Sequence, residues 1–232
     1  MKKIFIILIC FISSYTIFTN CSTTNKVEGN NTKKVIFKDN FNDNSNNWET
    51  VSDGEFLLEI TKGVLHLNKN HLNRIDNGCL WYSKQIKNLN TSDNIKISFD
   101  IKFLNFEVYI DKAIDFMWGN DSDLYQLTID YQGCVQLRRF TSGKGWSDTF
   151  ISSFYKNDAY AICTYSGKYE NFIPRRFNNI SIIQKDENCL IYINNKKVVD
   201  VKIKKIQGNS IGFQQCVKVE WVLDNLKIEK IK

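Results

Sequence analysis

The chain has 232 residues, 31 of them basic and 25 acidic, for a formal charge of +6 that falls to +4 if Lys2 and Lys3 are lost with a leader. The excess is spread over many lysines with carboxylates between them, which describes a solvated surface and excludes a nucleic-acid-binding patch. There is a single proline, Pro174, and no CxxC pair or Cys/His metal spacing, so the sequence carries no metal or redox motif.

In chain order, residues 1–20 come first and read as a signal peptide. Lys2 and Lys3 form a basic start, and residues 4–12 are an apolar run too short to span a bilayer. Ser13 to Thr19 then lead to Asn20 and Cys21, an arrangement that resembles the lipobox of bacterial lipoproteins, in which the cysteine becomes the acylated N-terminus. Asn20 stands where Gly, Ala or Ser is usual, so a plain secretory leader cut nearby is the alternative. Residues 21–34 are rich in Ser, Thr, Asn and Lys, with Val27 the one aliphatic. They are too polar to offset their ordering entropy and read as a flexible tether. The expectation is a protein exported to the bacterial cell envelope, lipid-anchored through Cys21, with one domain over residues 35–232.

Within that domain the dominant period is two, the mark of half-buried strands, and no segment shows a helical stripe. Residues 35–41 form the first predicted strand, followed by an Asn/Asp-rich turn that ends at Trp48. Residues 54–60 and 63–67 read as a hairpin with Leu65 and Leu67 on one face and His66 on the other. Strands follow at 79–86 and 94–104. In the second, Ile95, Ile97, Phe99, Ile101 and Phe103 point inward against Lys96, Ser98, Asp100 and Lys102. Further strands are predicted at 114–118, 124–131, 134–140, 178–184, 189–194, 197–203, 210–215 and 217–228, with turns at 132–133 and 195–196. Such spacing predicts an all-β, two-sheet antiparallel sandwich or jelly roll. The irregular stretch 155–177 is long for a loop and dense in aromatic residues (Tyr155, Tyr160, Tyr165, Tyr169 and Phe172). Cys79, Cys134, Cys163, Cys189 and Cys216 are an odd set, expected mainly as small buried hydrophobes with at most one incidental disulfide.

Several motifs, in order, carry a family resemblance. They are Phe37 to Phe41 followed by Trp48, Gly63 to Leu67, and Leu124 to Ile129 leading into Gly133, Val135, Leu137, Arg139 and Trp146. Later come Leu190 to Asn195 and Val198-Val199, then Ile211 to Phe213 and Leu223 to Leu226. From Val35 onward the chain resembles the concanavalin A-like, laminin-G-like jelly-roll domains of bacterial surface proteins, whose relatives include lectins, glucanases and keto-disaccharide hydrolase-like domains. In that family's strand pair a Gly ends the turn. Here Asn195 replaces it, a residue that still tolerates positive φ.

Glucanases of this class carry an E-x-D-x-x-E run, because one carboxyl must act as nucleophile and another as acid. The chain has none. Asp121 and Asp123 fall in a turn, where Asp is favoured for local hydrogen bonds, and His66 and His71 have no nucleophile context. No catalytic residue, cofactor or metal is therefore assigned; Asp39 and Asp224 could supply calcium ligands but are better read as turn residues.

Sugar-binding faces of such sandwiches use aromatic rings with Arg, Asn and Asp. The ligand-binding candidates are Trp81, Tyr82, Trp118, Tyr125, Arg138, Arg139 and Trp146. Trp48 and Trp221 are assigned to the core, whereas Trp81, Trp118 and Trp146 suit core and site equally. The function expected is a non-catalytic, lipid-anchored module that binds carbohydrate or another extracellular ligand. The alternatives are a carbohydrate-active hydrolase and a structural lipoprotein packed against envelope proteins.

Overall fold

The computed structural model describes residues 33–69, 79–105, 113–150, 171–216 and 218–232. Residues 1–32, with the signal peptide, Cys21 and most of the tether, lie outside them. So do His71, Cys163 and residues 155–170 of the long loop.

The described residues contain fifteen strands and no helix, and they belong to one compact unit. One sheet holds nine strands. These are β1 (Lys34–Asp39), β2 (Val51–Ser52), β3 (Phe56–Thr61), β4 (Val64–Lys69), β6 (Ile95–Asn105), β11 (Asn178–Lys185), β12 (Asn188–Ile193), β13 (Lys196–Lys202) and β15 (Glu220–Lys230). Their order is β13-β12-β11-β6-β15-β4-β3-β2, with β1 also on β15. The second sheet holds β5 (Leu80–Gln85), β7 (Ala113–Asn120), β8 (Asp123–Asp130), β9 (Val135–Thr141), β10 (Gly145–Phe150) and β14 (Ser210–Gln215) in the order β10-β9-β8-β7-β14-β5. All pairings are antiparallel. This is the two-sheet antiparallel sandwich expected from the alternation, with the jelly-roll architecture that the resemblance implies.

Two strands go beyond the predicted pattern. The two-residue β2 is too short to show a period. β10 begins at Gly145 just after Gly143, and the positive φ values of these glycines, 73° and 77°, mark a tight return from β9. One turn shifts by a residue: β12 passes to β13 through Asn194-Asn195, not 195–196. Both residues are left-handed, at 48° and 66°, as a two-residue hairpin connection requires and as Asn tolerates.

Inward residues of the two sheets meet ring to ring. Phe99 of β6 lies 4.7 Å from Phe116 of β7, and Phe213 of β14 lies 5.7 Å from Trp221 of β15. Ile95, Ile97, Phe99, Ile101 and Phe103 are all buried, and their alternates are not. Trp48, Trp118 and Trp221 are buried too, and each indole N–H finds an acceptor, since a buried donor left alone is costly. Trp48 donates to Asp39 (2.6 Å), Trp118 to Gln184 (3.3 Å) and Trp221 to Gln215 (3.1 Å).

The cysteines depart from the expectation. Cys189 is a free, buried thiol, as a small hydrophobe should be, and burial pushes its pKa up to about 12. Cys79 and Cys216, however, form a disulfide with a Cα–Cα separation of 4.1 Å, and Cys134 is disulfide-bonded as well. The first bond follows from register: Leu80 pairs with Gln215, so the residues just beyond them stand opposite each other.

Candidate functional site

Strand pairing divides the six-stranded sheet into two faces. Trp118, Tyr125, Leu127, Leu137 and Phe213 face the core. The other face presents Trp146 on β10; Gln136, Arg138 and Phe140 on β9; and Leu124, Gln126 and Thr128 on β8. It continues with Asp115, Met117 and Gly119 on β7, Gln214 and Gly212 on β14, and Trp81 and Ser83 on β5. Met117 and Leu124 are buried yet stand outside the main core cluster, as residues of this second face should.

A hydrogen-bonded row runs across it. The Arg138 guanidinium carbon lies 4.8 Å from the centroid of the Trp146 ring, a cation–π contact. Arg138 Nη2 donates to Gln126 Oε1 (2.7 Å), and Gln126 Nε2 donates to Gln214 Oε1 (2.8 Å). The Arg138 Nε–H is buried with no acceptor. Beside this row Thr128 Oγ1 donates to Asp115 Oδ1 (2.5 Å). Burial, the largest influence, raises the Asp115 carboxyl to about 6 against the lowering effects of Thr128 and Arg138.

Tryptophans stand at both edges, Trp146 on β10 with 39% of its surface exposed and Trp81 on β5 with 44%. At strand spacing the two edges are roughly 24 Å apart. Near Trp81 the floor is lowered by Gly119 and Gly212, with Ser83, Met117, Leu124 and Ser210 around them. A Cβ on Gly212 would come within 2.5 Å of the Tyr82 carbonyl oxygen, so the strands approach too closely there for a side chain. The depression has a cavity volume of about 10 Å³, room for about one water rather than a sugar ring. A ligand of this face must lie along it, not inside the depression.

The sequence candidates divide accordingly. Trp81, Arg138 and Trp146 share this face. Tyr82, Trp118 and Tyr125 are core residues, and their rings offer nothing to a ligand. Tyr125 packs on Trp118 at 5.5 Å and donates to the Lys204 carbonyl (2.6 Å), and burial pushes its hydroxyl up to about 12. Arg139 pairs in register with Tyr125, not with Trp146. It is engaged by Asp123 through Nε to Oδ1 (2.7 Å) and Nη2 to Oδ2 (2.5 Å), so it closes the end of the sandwich as a structural pair.

Gln126, Gln214, Thr128 and Asp115 were not anticipated. Each is a polar residue at an outward position of an otherwise apolar strand, a pattern that a solvated sheet produces equally well. Asp130 lies on the same face and is also raised to about 6 by burial, but its carboxyl accepts the backbone N–H groups of Gln132 and Cys134 (both 2.8 Å) and so holds a turn. Asp121 is exposed in the β7–β8 turn. His66 lies on the other sheet against Glu220 (2.9 Å). Asp39 accepts from Trp48 and from the Phe41 backbone, Asp224 from the Asn225 backbone. No group of three metal-ligating side chains occurs among the described residues.

No family model matches the chain, and no curated protein does. Solved structures do. A Bacillus subtilis protein of unknown function with a galectin-like fold superposes with a TM-score of 0.55 at 10% identity, covering 86% of this chain and 98% of that one. The Emp47p carbohydrate recognition domain gives 0.51 at 15%, covering 86% and 98%. Bacillus licheniformis β-glucanase gives 0.50 at 10%, covering 87% and 100%. At such identities the likeness is one of fold.

Proposed function

We propose that the protein is a non-catalytic saccharide-binding module whose ligand lies across the outer face of the six-stranded sheet, between Trp146 and Trp81. The observation that carries this reading is the Trp146–Arg138–Gln126–Gln214 row, in which an aromatic ring and an arginine held in place through the buried Gln126 share one surface. Rings stack on the apolar faces of sugars, and pre-positioned polar groups lower the ordering cost of binding. The fold is shared with a carbohydrate recognition domain and a glucanase, which is consistent with that use of the sheet. The test is a glycan array with the purified full chain. A parent signal should weaken about tenfold or more in Trp146→Ala and Arg138→Ala, with both variants still folded. A silent parent array would leave the structural-lipoprotein reading in its place.

One observation favours a hydrolase as the second reading, namely the Asp115 carboxyl raised to about 6 on the same face. A glycosidase needs a second working carboxyl; of the described carboxylates near this face, Asp130 is occupied by the turn it holds and Asp121 stands exposed in the β7–β8 turn at the rim of the depression. Oligosaccharide cleavage lost in Asp115→Asn would establish the hydrolase.

The lipid anchor at Cys21 and the envelope location belong to the same proposal. Their support is the basic and apolar leader ahead of Cys21 and the polar tether after it. Cys21→Ala should move the protein from the detergent phase to the aqueous phase, because several acyl chains hold a protein to a bilayer and none does not. Equal partitioning of the two forms would reject the anchor.

A further inference from the structure

We infer that the saccharide read by this face is acidic, bearing a carboxylate or sulfate that Arg138 receives; this deepens the saccharide-binding reading and rests on it. Guanidinium carries five N–H donors in a fixed fork and no acceptor. In Arg138 one donor is used, on Gln126 Oε1, and Nε has no acceptor at all. Its neighbour Arg139 shows what this chain does with an arginine that serves the fold: a carboxylate, Asp123, takes two of its donors. Arg138 has no such ion pair, although it stands one residue away. Trp146 covers one face of its guanidinium plane and fixes it, and because Nε is buried an anionic oxygen is received at the Nη groups.

The rest of the row points the same way. Gln126 Oε1 accepts from Arg138, Gln214 Oε1 accepts from Gln126, and one oxygen of Asp115 accepts from Thr128. Each amide oxygen of the row thus already accepts one hydrogen bond, while donors on Arg138 and on the Gln214 amide are unused; the second Asp115 oxygen, beside the row, is the acceptor left over. A sugar hydroxyl asks for a donor and an acceptor together; an anionic oxygen asks for donors alone. The row is short of acceptors and long in donors, which suits the anion.

The experiment titrates the full chain with matched pairs in which one member has its anionic groups masked or removed: oligogalacturonate against its methyl ester, and a sulfated galactan oligosaccharide against its desulfated form. The charged member of at least one pair should bind about tenfold tighter, and Arg138→Gln should bring that ratio close to one. Lys197→Gln, which removes an exposed cation of the other sheet, should keep the ratio and so separate a local site from general attraction to a basic protein. Equal binding within both pairs overturns the inference and leaves the saccharide-binding reading intact. A preference that survives Arg138→Gln, or disappears equally in Lys197→Gln, overturns the assignment to Arg138. Binding to none of the four probes overturns the inference, and the glycan array then decides the saccharide-binding reading separately.

Discussion

The two sheets bury similar inward faces and differ in what they do with the outward one. On β6 of the nine-stranded sheet Lys96, Ser98, Asp100 and Lys102 stand partly exposed, and charge is handled locally. Asp100 accepts from Asn179 and Asn225 (both 2.9 Å), and Lys227 meets Glu229 at 2.8 Å. The six-stranded sheet instead buries Met117, Leu124 and Gln126 on its outward side and links side chains across four strands. A solvated sheet gains little from such order, since exposed polar groups already have water as a partner. Both outward faces carry side-chain links across strands, Glu59–His66–Glu220 on the nine-stranded sheet among them. The six-stranded face differs in setting an exposed tryptophan against an arginine with unused donors, and it is the face we propose for the ligand.

The comparison rests on register, and register is open to a large effect. Truncating Phe99 or Ile101 to Ala should cost about 2–5 kcal/mol, because each leaves a cavity among packed neighbours. Ser98→Ala and Lys102→Ala should fall within about 0.5 kcal/mol. Urea melts giving the reverse order would mean that β6 is turned over and that the two faces have been exchanged.

What was legible in the sequence follows the same line. The β6 alternation was readable because one face is apolar without interruption. The turn after β12 was legible as a turn but placed one residue late, at 195–196 instead of 194–195, because Asn195 tolerates positive φ at either position of the pair. The site was only half legible. Trp146 and Trp81 can be named as candidates, but Gln126 and Gln214 are 88 residues apart and become partners only once β7 lies between their strands. Arg138 and Arg139 look equivalent in sequence, and a shift of one residue decides which faces the ligand and which faces Asp123. Cys79 and Cys216 are 137 residues apart, and no local pattern announces that their strands are neighbours.

A smaller effect tests whether the outward face of the six-stranded sheet is truly dry. Asp115 titrates near 6 in the fold and lower when unfolded, chiefly because burial disfavours its charge. A carboxyl raised in this way contributes fully below about pH 4, and that contribution is lost as the pH rises through about 6. Asp115→Asn removes the ionisable group while keeping a partner for Thr128. The variant should therefore match the parent near pH 4 and exceed it by about 2–3 kcal/mol near pH 8. Thermal melts at the two pH values check this. A gain that is equal at both, or absent at pH 8, would mean that Asp115 is solvated like the carboxylates of the other sheet.

The smallest effect sharpens the comparison most, because it concerns two adjacent arginines on opposite faces of β9. Arg139 and Asp123 form a bidentate pair with 18% and 26% of their side chains exposed. The hydrogen bond to Asp123, first among its influences, raises the Arg139 pKa further. A pair so placed is partly screened by water, and Arg139→Ala should cost about 1 kcal/mol of stability, with much of that cost restored in Asp123→Ala/Arg139→Ala because no charge is then left without its partner. Arg138→Ala breaks no ion pair, so its effect should appear in glycan binding and hardly in the melt. The four proteins can be compared by denaturant melts and glycan titration side by side. If Arg139→Ala weakens binding as much as Arg138→Ala while both melts stay unchanged, the ligand reaches the end of the sandwich rather than the outward face, and the division of labour between the two arginines is wrong.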